Sequence, residues 1–321
     1  MSAHLDEIID KQHGSTNATV VFLDVVKYSM RKSIIQQKVI KSFNDILHLA
    51  LDSVSAKHIK ESQKQNLNLA DDIIKIPTGD GAAIVFPFQG LQNIHLDFAL
   101  EFLNYSLSSR KDINCEIFSE NGWCNCHDFF DVRIGVSDGK VIVFKDINGS
   151  YNVAGGIVNL ASRVMGLADG QQIIFTKDAY RNIIDMTEDT RLEGRFASYD
   201  NVRVKHDVVV DICQYTGQGE NYINASVPMR INISQKENDL RSSPMFSDNH
   251  PKSPADYLKR LEIMDILKDM PLPEGLSKMS SGLGTMTKEH ATAVVEAFKV
   301  IDQLMKTGLS GNLIDVAKTD G

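Results

Sequence analysis

The first strong pattern along the chain is an apolar, β-branched run at residues 19–26, TVVFLDVV, which polar residues bound on both sides. Such a run predicts a buried strand. Apolar residues then recur at helical spacing through about residues 33–57 and predict a long amphipathic helix. Two further apolar runs, at 71–77 and 82–88, flank the sequence TGDG and predict a hairpin, and a second helix is predicted at about 90–109.

A polar segment at 110–129 follows in the middle of the chain. Two apolar runs, DVRIGVS and KVIVFKD, then predict a second hairpin that turns at Asp138-Gly139. A helix at about 154–168, a strand at 171–175 and a terminal strand pair, NVRVKH and VVVDICQYTG, follow. The order strand, helix, two strands, helix, strand is that of a split βαβ arrangement. The predicted fold class is therefore α+β, a ferredoxin-like, antiparallel-rich sheet with helices on one face.

Composition divides the chain into four predicted segments: an N-terminal extension at 1–18, a globular domain at 19–220, a linker at 221–254 and a C-terminal helical segment at 255–321. The linker assignment rests on the polar, Pro- and Ser-rich stretch SQKENDLRSSPMFSDNHPKSP. The C-terminal segment carries two apolar stripes at helical spacing, and these stripes must be buried. The sequence allows two interpretations: the stripes pack on their own domain, or they make contacts in an oligomer or with a partner.

Composition and charge narrow the class of protein. A chain of 321 residues with 42% hydrophobic residues can bury a full core. The formal net charge of -8 argues against a nucleic-acid-binding surface, which needs clustered Lys and Arg. No basic leader precedes an apolar segment, and no apolar run approaches the roughly 20 residues of a membrane span, so a soluble cytoplasmic protein is expected.

The cysteines do not predict a disulfide scaffold. There are four of them, Cys115, Cys124, Cys126 and Cys213, which is too few for a secreted protein stabilised by disulfides. Cys124, Cys126 and His127 are close in sequence, but Cys-x-Cys-His is not a usual zinc spacing and no second ligand pair follows. The pattern favours ordinary thiols in an exposed excursion over a metal site.

Four motifs follow one another along the chain: FLDVVKYS at 22–29, TGDG at 78–81, VRIGVSDGKV at 132–141 and GGIVNLASR at 155–163. Together they resemble the class III nucleotidyl cyclases over about Val20 to Tyr215, and their order is far more specific than any one motif. The resemblance implies the ferredoxin-like cyclase fold. It also implies an activity that converts a nucleoside triphosphate to a cyclic monophosphate and pyrophosphate.

Asp24 and Asp80 are the candidate metal ligands. Asp24 ends the first predicted strand and Asp80 lies in the turn of the neighbouring hairpin, so their carboxylates can converge. Two converging carboxylates repel unless a cation lies between them, and hard oxygen ligands beside a triphosphate suit Mg²⁺ or Mn²⁺. The resemblance implies two such ions per site, held by Asp24, Asp80 and the backbone of Val25. Taken alone, Asp80 would be a turn aspartate and Asp24 a strand-end cap.

Asn159 and Arg163 are four residues apart on a predicted helix and therefore share a face. The resemblance implies that Arg163 stabilises charge on the transferred phosphate and that Asn159 orients the ribose; alone, the pair would be a solvated helix face. In the family, the metal half-site and the Asn/Arg half-site face each other across a dimer. Each occurs once here, which implies a head-to-tail homodimer with two composite sites and an inactive monomer.

The residues that hold the triphosphate are harder to assign. Lys205, in VRVKHD, lies near the position of the family's phosphate-binding lysine, although a shifted alignment places Arg203 or Asp207 there. Lys27 and Arg31 follow the first metal motif and are further cations near the expected phosphate site. A solvated side chain is the simpler interpretation of Lys27.

Ile76 and Asn152 occupy the positions that read the base in purine-specific relatives. Adenine-specific relatives have Lys and Asp there, and guanine-specific relatives have Glu at the first position, so neither purine pattern is present. Ile cannot hydrogen-bond a base, whereas an Asn amide offers an acceptor and a donor that can meet cytosine or, flipped, uracil. The chain thus resembles the pyrimidine cyclases of bacterial antiphage defence, which make cyclic CMP or cyclic UMP for a separate effector. CTP is slightly favoured over UTP.

Other functions compete with this one. An adenylate cyclase with a non-standard base pocket is the first alternative. A catalytically inactive cyclase fold that binds nucleotide is the second, but inactive copies usually lose one of the four core residues, which are all present here. A dinucleotide cyclase would need a Gly-Gly-[Asp/Glu]-Glu-Phe loop and a P-loop enzyme a GxxxxGK[ST] motif, and the sequence contains neither.

Overall fold

The computed structural model describes residues 2–91, 93–110 and 115–232. The helices in these ranges are α1 (Ala3–Gln12), α2 (Ser33–Lys57), α3 (Ile59–Lys64), α4 (Leu69–Asp72), α5 (Ile94–Ser108), α6 (Glu116–Asn121), α7 (Gly156–Met165) and α8 (Lys177–Met186). The strands are β1 (Ser15–Val25), β2 (Ile74–Pro77), β3 (Gly81–Phe86), β4 (Val132–Lys145), β5 (Tyr151–Ala154), β6 (Gln172–Thr176), β7 (Phe196–Val204) and β8 (Val208–Tyr215). Short 3₁₀ turns lie at Tyr28–Met30, Glu193–Arg195 and Lys205–Asp207.

These strands form one mixed sheet in the order β2-β3-β1-β4-β6-β8-β7, and β5 pairs with β4. β1 pairs antiparallel with both β3 and β4, so Asp24 lies opposite Gly81 on one side and opposite Arg133 on the other. β4 and β6 are parallel. The arrangement confirms the predicted α+β, ferredoxin-like class, because β1 to β4 and their helices follow the predicted order.

Side chains of β1 alternate between the two faces of the sheet, as strand geometry requires. Val21, Leu23 and Val25 lie in the core that α2, α5 and α8 form on one face. Val20 lies in a second apolar cluster, together with residues of α1 and α7. Asp24 has the parity of Val20, and the strand therefore places it on the side of the sheet that faces α1 and α7.

The sheet thus carries helices on both faces, whereas the sequence pattern predicted them on one. Gly135 of β4 is the reason that α7 packs closely on the second face. A Cβ at this position would overlap the Ala161 carbonyl oxygen and the Met165 backbone nitrogen. The apolar spacing of GGIVNLASR predicts the helix correctly, but it does not say which face of the sheet the helix covers.

The second predicted hairpin, turning at Asp138-Gly139, is wrong. β4 runs through these residues, because β1 begins at Ser15 and pairs with β4 as far as Ile142. The chain turns later, between β4 and β5, where the Asp146 carboxylate accepts hydrogen bonds from the backbone N–H groups of residues 148 (2.8 Å) and 150 (3.1 Å). An Asp-Gly pair favours a turn, but continuous strand pairing overrides that preference here.

Residues before and after the predicted domain, 19–220, also contact the sheet. α1 lies before this range and packs against β1 and β4. After it, the Ser226 carbonyl oxygen accepts hydrogen bonds from the side-chain amides of Gln172 and Gln214, each 2.8 Å long. These contacts tie residues just beyond the predicted boundary to the sheet.

The remaining predicted segments are described only in part. Residues 233–254 of the predicted linker and all of the predicted helical segment, 255–321, lie outside the described residues. Within the described ranges, no helix is both long and apolar enough to cross a membrane.

Candidate active site

Asp24 and Asp80 lie beside each other where β1 and the β2–β3 hairpin meet. Asp24 is the penultimate residue of β1 and lies opposite Gly81. The Val25 backbone N–H donates to the Asp80 carbonyl oxygen (3.1 Å), which holds the hairpin turn against the end of β1. Gly81 permits this close approach, since a Cβ there would overlap the Leu23 carbonyl oxygen. The structure therefore brings together the three residues predicted to bind metal.

The Asp24 carboxyl lies in an environment that disfavours its charged form. Its side chain is 16% exposed, and burial is the largest cause that raises its pKa above the ordinary value. Arg133 lowers the pKa, the negative charge of Asp80 raises it and the positive charge of Lys205 lowers it. The pKa remains raised after these opposing effects. A further cation beside the two carboxylates would stabilise the ionised form.

Arg133 faces Asp24 across the β1–β4 pair. Its Nε and Nη2 atoms both donate to the Asp24 Oδ2 atom, at 2.8 and 2.6 Å. Sequence reasoning missed this residue, although it lies within the motif VRIGVSDGKV. The signal that could have found it is the pairing of this strand with β1, which places an arginine directly opposite the candidate metal ligand.

The donor atoms of the carboxylate pair, Asp24 and Asp80, fit a hard divalent cation. Within the described residues, Asp24 Oδ1 and both Asp80 carboxylate oxygens accept no hydrogen bond and so are available as ligands. Carboxylate oxygens without a neighbouring thiol or imidazole suit Mg²⁺ or Mn²⁺. Val25 lies beside them, and the contribution of its backbone to metal binding stays a prediction.

Asn159 and Arg163 lie on α7, which buries three apolar residues against the sheet. Asn159 is exposed and Arg163 is half-buried. Neither side chain makes a hydrogen bond or an ion pair with any part of the chain that the structure describes. The two residues, here called the α7 pair, share a face as predicted, and no such bond joins them to the carboxylate pair.

Ile76 and Asn152 lie on β2 and β5, two strands that contact each other. Ile76 is half-buried in the apolar cluster that also contains Tyr151 and Val153. The Asn152 side-chain oxygen accepts a hydrogen bond from the Val153 backbone N–H (2.8 Å). Its NH₂ group donates to no described residue, and it therefore remains available as a donor. The structure brings the strands of the two predicted base-reading residues together.

Residues 11–210 match the family described as the adenylate and guanylate cyclase catalytic domain. The chain belongs to this family. Among solved structures, this cyclase domain is similar to the guanylate cyclase domain of RhGC from Catenaria anguillulae in complex with GTP, at 18% identity over 63% of this chain and 97% of that one, with a TM-score of 0.42.

Two further solved structures are similar to the cyclase domain. The adenylyl cyclase CyaB from P. aeruginosa is 18% identical over 64% of this chain and 97% of that one, with a TM-score of 0.40. The adenylate/guanylate cyclase/hydrolase from Silicibacter pomeroyi is 15% identical over 64% of this chain and 99% of that one, with a TM-score of 0.44. No curated protein matches the sequence.

Lys205 is the predicted phosphate residue that lies toward the carboxylate pair of the cyclase domain. It belongs to the 3₁₀ turn between β7 and β8, and its side chain is exposed. Its positive charge lowers the pKa of Asp24, so it lies within electrostatic range of that carboxyl. Arg203, the alternative for this role, already interacts with another group.

The side chains of Lys27 and Arg31 contact the segment 115–129. The Lys27 Nζ atom donates to the Asn121 carbonyl oxygen (3.0 Å), and the Arg31 Nη1 atom donates to the Cys124 carbonyl oxygen (3.4 Å). Both cations therefore hold the segment 115–129 instead of an open phosphate site. Their prediction as additional phosphate cations is corrected, because the excursion that the sequence predicted as polar folds back onto the residues that follow β1.

Proposed function

We propose that this cyclase domain converts a pyrimidine nucleoside triphosphate, CTP in preference to UTP, to the 3′,5′-cyclic monophosphate and pyrophosphate. The product would act as a second messenger in antiphage defence and would be bound by a separate effector. The single observation that carries the cyclase chemistry is the adjacency of Asp24 and Asp80 beside the Arg133 guanidinium.

In the proposed reaction, the ribose 3′-oxygen attacks the α-phosphorus, and the bond from that phosphorus to the pyrophosphate oxygen breaks. The proton of the 3′-hydroxyl passes to solvent. Asp24, Asp80 and Val25 would hold two Mg²⁺ or Mn²⁺ ions. When bound, such ions lower the pKa of a hydroxyl and neutralise phosphate charge.

Arg133 and Lys205 are the cations proposed to hold the β- and γ-phosphates. Arg133 uses two donor atoms on one oxygen of Asp24, and a guanidinium has further N–H groups for a phosphate oxygen. Lys205 acts as a point charge on the same side. With substrate bound, Arg133 would bridge Asp24 and the triphosphate and so position the α-phosphorus beside the carboxylate pair.

The α7 pair is proposed to act on the substrate held by a second copy of the chain. Asn159 and Arg163 have no hydrogen bond or ion pair to the described parts of their own chain, and Asn159 is exposed while Arg163 is half-buried. In a head-to-tail homodimer, Arg163 would donate to the phosphate oxygens that gain charge, and Asn159 would hold the ribose. Each dimer would then contain two composite sites.

Asn152 supplies the base preference in this proposal. Because its Oδ1 atom accepts from the Val153 N–H, its NH₂ group is what it offers, and cytosine presents two adjacent acceptors, O2 and N3, to that donor. Uracil carries an N–H at position 3, which would meet the NH₂ group donor to donor. Ile76 offers no polar partner to a purine edge, and each unmatched polar group costs about 1–3 kcal/mol.

ATP is the second candidate substrate, for a specific reason. Adenine N1 is an acceptor and can also receive the Asn152 NH₂ group, so this donor alone does not separate cytosine from adenine. Ile76 and the neighbouring Tyr151 and Val153 would have to exclude the larger ring.

The test is to incubate the purified full chain with Mn²⁺ and equimolar ATP, GTP, CTP and UTP, and to identify the products by mass spectrometry. We expect cyclic CMP in clear excess, followed by cyclic UMP. Dominant cyclic AMP would overturn the pyrimidine preference and leave the cyclase proposal standing. A folded dimer that makes no cyclic nucleotide from any of the four substrates would instead favour an inactive nucleotide-binding domain.

A further inference from the structure

A cluster of sulfur and nitrogen atoms lies outside the candidate active site, in the segment 115–129. The ligand atoms of Cys115, Cys126 and His127 lie within 4.8 Å of one another, and the Sγ atoms of Cys115 and Cys126 are 3.4 Å apart. In the described ranges this is the one group of three or more His, Cys, Asp or Glu residues whose ligand atoms lie close enough together to share a metal ion. α6 begins directly after Cys115, and the residue that follows the helix, Gly122, lies in the left-handed region (φ 71°), where the chain changes direction.

Cys115 is the ligand that the sequence pattern did not supply. The spacing of Cys124, Cys126 and His127 alone is not that of a usual zinc site. Cys115 is separated from these three residues along the chain by α6. Cys124 is fully buried, and its thiol donates to the His127 carbonyl oxygen (3.8 Å). The ligand atoms of Cys115, Cys126 and His127 therefore converge, and Cys124, two residues before Cys126, is the neighbouring candidate for a fourth donor.

We propose that Cys115, Cys124, Cys126 and His127 bind a structural Zn²⁺ ion. Zinc takes four ligands in a tetrahedron with Zn–S distances of about 2.3 Å, which places sulfurs about 3.8 Å apart, close to the spacing of the Cys115 and Cys126 thiols. Thiolate and imidazole ligands select zinc over Mg²⁺ or Mn²⁺. Binding releases the three thiol protons to solvent and leaves the imidazole neutral, so no oxidant or reductant is involved.

The surroundings of Arg31 support an anion at this position independently. Arg31 is 4% exposed, yet its Nε and Nη2 atoms are buried without a hydrogen-bond partner among the described residues. Its remaining donor, Nη1, bonds the Cys124 carbonyl oxygen, and the thiol of Cys124 is the first of the negative charges that act on it. Zinc with three thiolates carries a net charge of -1, which would balance this buried guanidinium.

The segment 115–129 also has only a small apolar core of its own. Its buried apolar cluster contains Phe118, Cys124 and Phe129, with Cys115 partly buried beside it. Small modules that cannot bury enough apolar surface are commonly stabilised by a metal ion. The segment in turn packs on the residues after β1, since the Asn125 side chain accepts from the Lys32 backbone N–H (2.7 Å). The zinc site would hold this packing in place beside the carboxylate pair.

The test uses the full chain, purified in reductant and then freed of loosely bound metal by dialysis. We expect about one zinc ion per chain by elemental analysis. Replacement by Co²⁺ should give a thiolate-to-cobalt charge-transfer band, which a carboxylate site cannot produce. Cys126→Ser, at an exposed position, and His127→Gln should lose the retained zinc and the band while the far-UV circular dichroism stays unchanged.

Two matched variants serve as controls. Cys213→Ala removes the cysteine outside the segment, and His48→Gln removes an exposed histidine of α2; both should retain zinc. A reduced, folded wild-type chain that binds no zinc and gives no charge-transfer band would overturn the proposal, whether or not Cys115 and Cys126 form a disulfide in air. Zinc that is lost in Asp24→Ala or Asp80→Ala but kept in Cys126→Ser would overturn it as well. The cyclase reaction is tested separately by its products, so the two proposals can fail independently.

Discussion

The carboxylate pair and the α7 pair differ in how far the chain itself surrounds them. Asp24 is partly buried, joined to Arg133 by two hydrogen bonds and fixed beside Asp80 by the pairing of β1 with β3. Asn159 and Arg163 are exposed and half-buried, and they have no hydrogen-bond or ion-pair partner within the described residues. The chain thus builds one half of the proposed site around its own strands and leaves the proposed other half without a partner in the described residues.

This difference has an energetic basis. A buried carboxylate must have a compensating charge, because an unpaired one costs several kcal/mol, and Arg133 supplies that charge at Asp24. A half-buried guanidinium such as Arg163 still contacts water and needs no partner in the free chain. Variants of the two halves should therefore fail in different ways, and mixing them should show whether the halves meet across a dimer.

Loss of either member of the carboxylate pair should have the largest effect. Asp24→Ala and Asp80→Ala should each lower turnover to below about a thousandth of the wild-type rate, because each removes a metal ligand. The matched control is Asp138→Ala, which removes another partly buried carboxylate of the sheet, one that accepts from the Thr19 hydroxyl (2.7 Å). It should keep most of the activity.

The readout for these variants is product formation at saturating Mn²⁺, with circular dichroism to confirm the fold. Near-normal turnover by either Asp24→Ala or Asp80→Ala would contradict the metal assignment. An equal loss in Asp138→Ala would mean that disturbed sheet packing, and not the loss of ligands, causes the effect.

Arg163→Ala should lower kcat about 10²–10³-fold, since it removes one charge-stabilising donor. A mixture of the Arg163→Ala and Asp80→Ala chains should regain activity. In an equal mixture, half of the dimers contain both chains and one of their two sites is intact, so about a quarter of the wild-type rate is expected. The control is a mixture of Asp24→Ala with Asp80→Ala, in which both defects lie in the same half and no site is restored. Failure of the first mixture, with subunit exchange confirmed, would refute the composite site.

Much of the fold follows from local patterns in the sequence. The apolar spacing of residues 33–57 predicts α2 with the same bounds, Ser33–Lys57, and the runs around TGDG predict β2 and β3. These elements depend on periodicity and on turn residues close in sequence. The predicted hairpin at Asp138-Gly139 failed because β4 is held straight by β1, a strand more than 100 residues earlier. A local turn signal carries no information about such a distant partner.

The site follows the same division. Asp24, Asp80, Asn159 and Arg163 could be proposed from the sequence because each lies within a motif. Arg133 lies within a motif as well, but its role depends on the residue opposite it in the sheet. The same limit applies to Cys115, whose approach to Cys126 depends on the path of the chain through α6. Cross-strand register and chain reversal are what sequence spacing does not contain.

Asn152→Ala should have a smaller effect, on selectivity more than on rate. If the Asn152 NH₂ group distinguishes the bases, the preference for CTP over the next best substrate should fall from roughly ten- to hundredfold to a few-fold. The measurement is kcat/KM for each of the four triphosphates. Asn148→Ala, in the exposed turn between β4 and β5, is the matched control and should leave the preference unchanged. Unchanged selectivity in Asn152→Ala would remove this residue from the base pocket.

The smallest effect on activity is expected at His95, a position on α5 that belongs to neither half of the site. The His95 side chain is buried, its Nε2 atom has no hydrogen-bond partner among the described residues, and burial lowers its pKa from 6.5 to about 4, against the opposing charge of Asp97. Between these two values the unfolded chain binds a proton that the folded chain does not, so the free energy of unfolding falls as the pH decreases from 6.5 to 4, by up to about 3 kcal/mol. Denaturant unfolding across this range should show that His95→Leu loses part of the pH dependence, whereas His48→Gln, at an exposed position of α2, does not. At neutral pH His95→Leu should turn over substrate normally. Protonation of His95 changes the stability of the whole fold, and the residue belongs to neither half of the proposed site. A variant with wild-type pH dependence of stability would show that His95 is not the group that couples acid to unfolding.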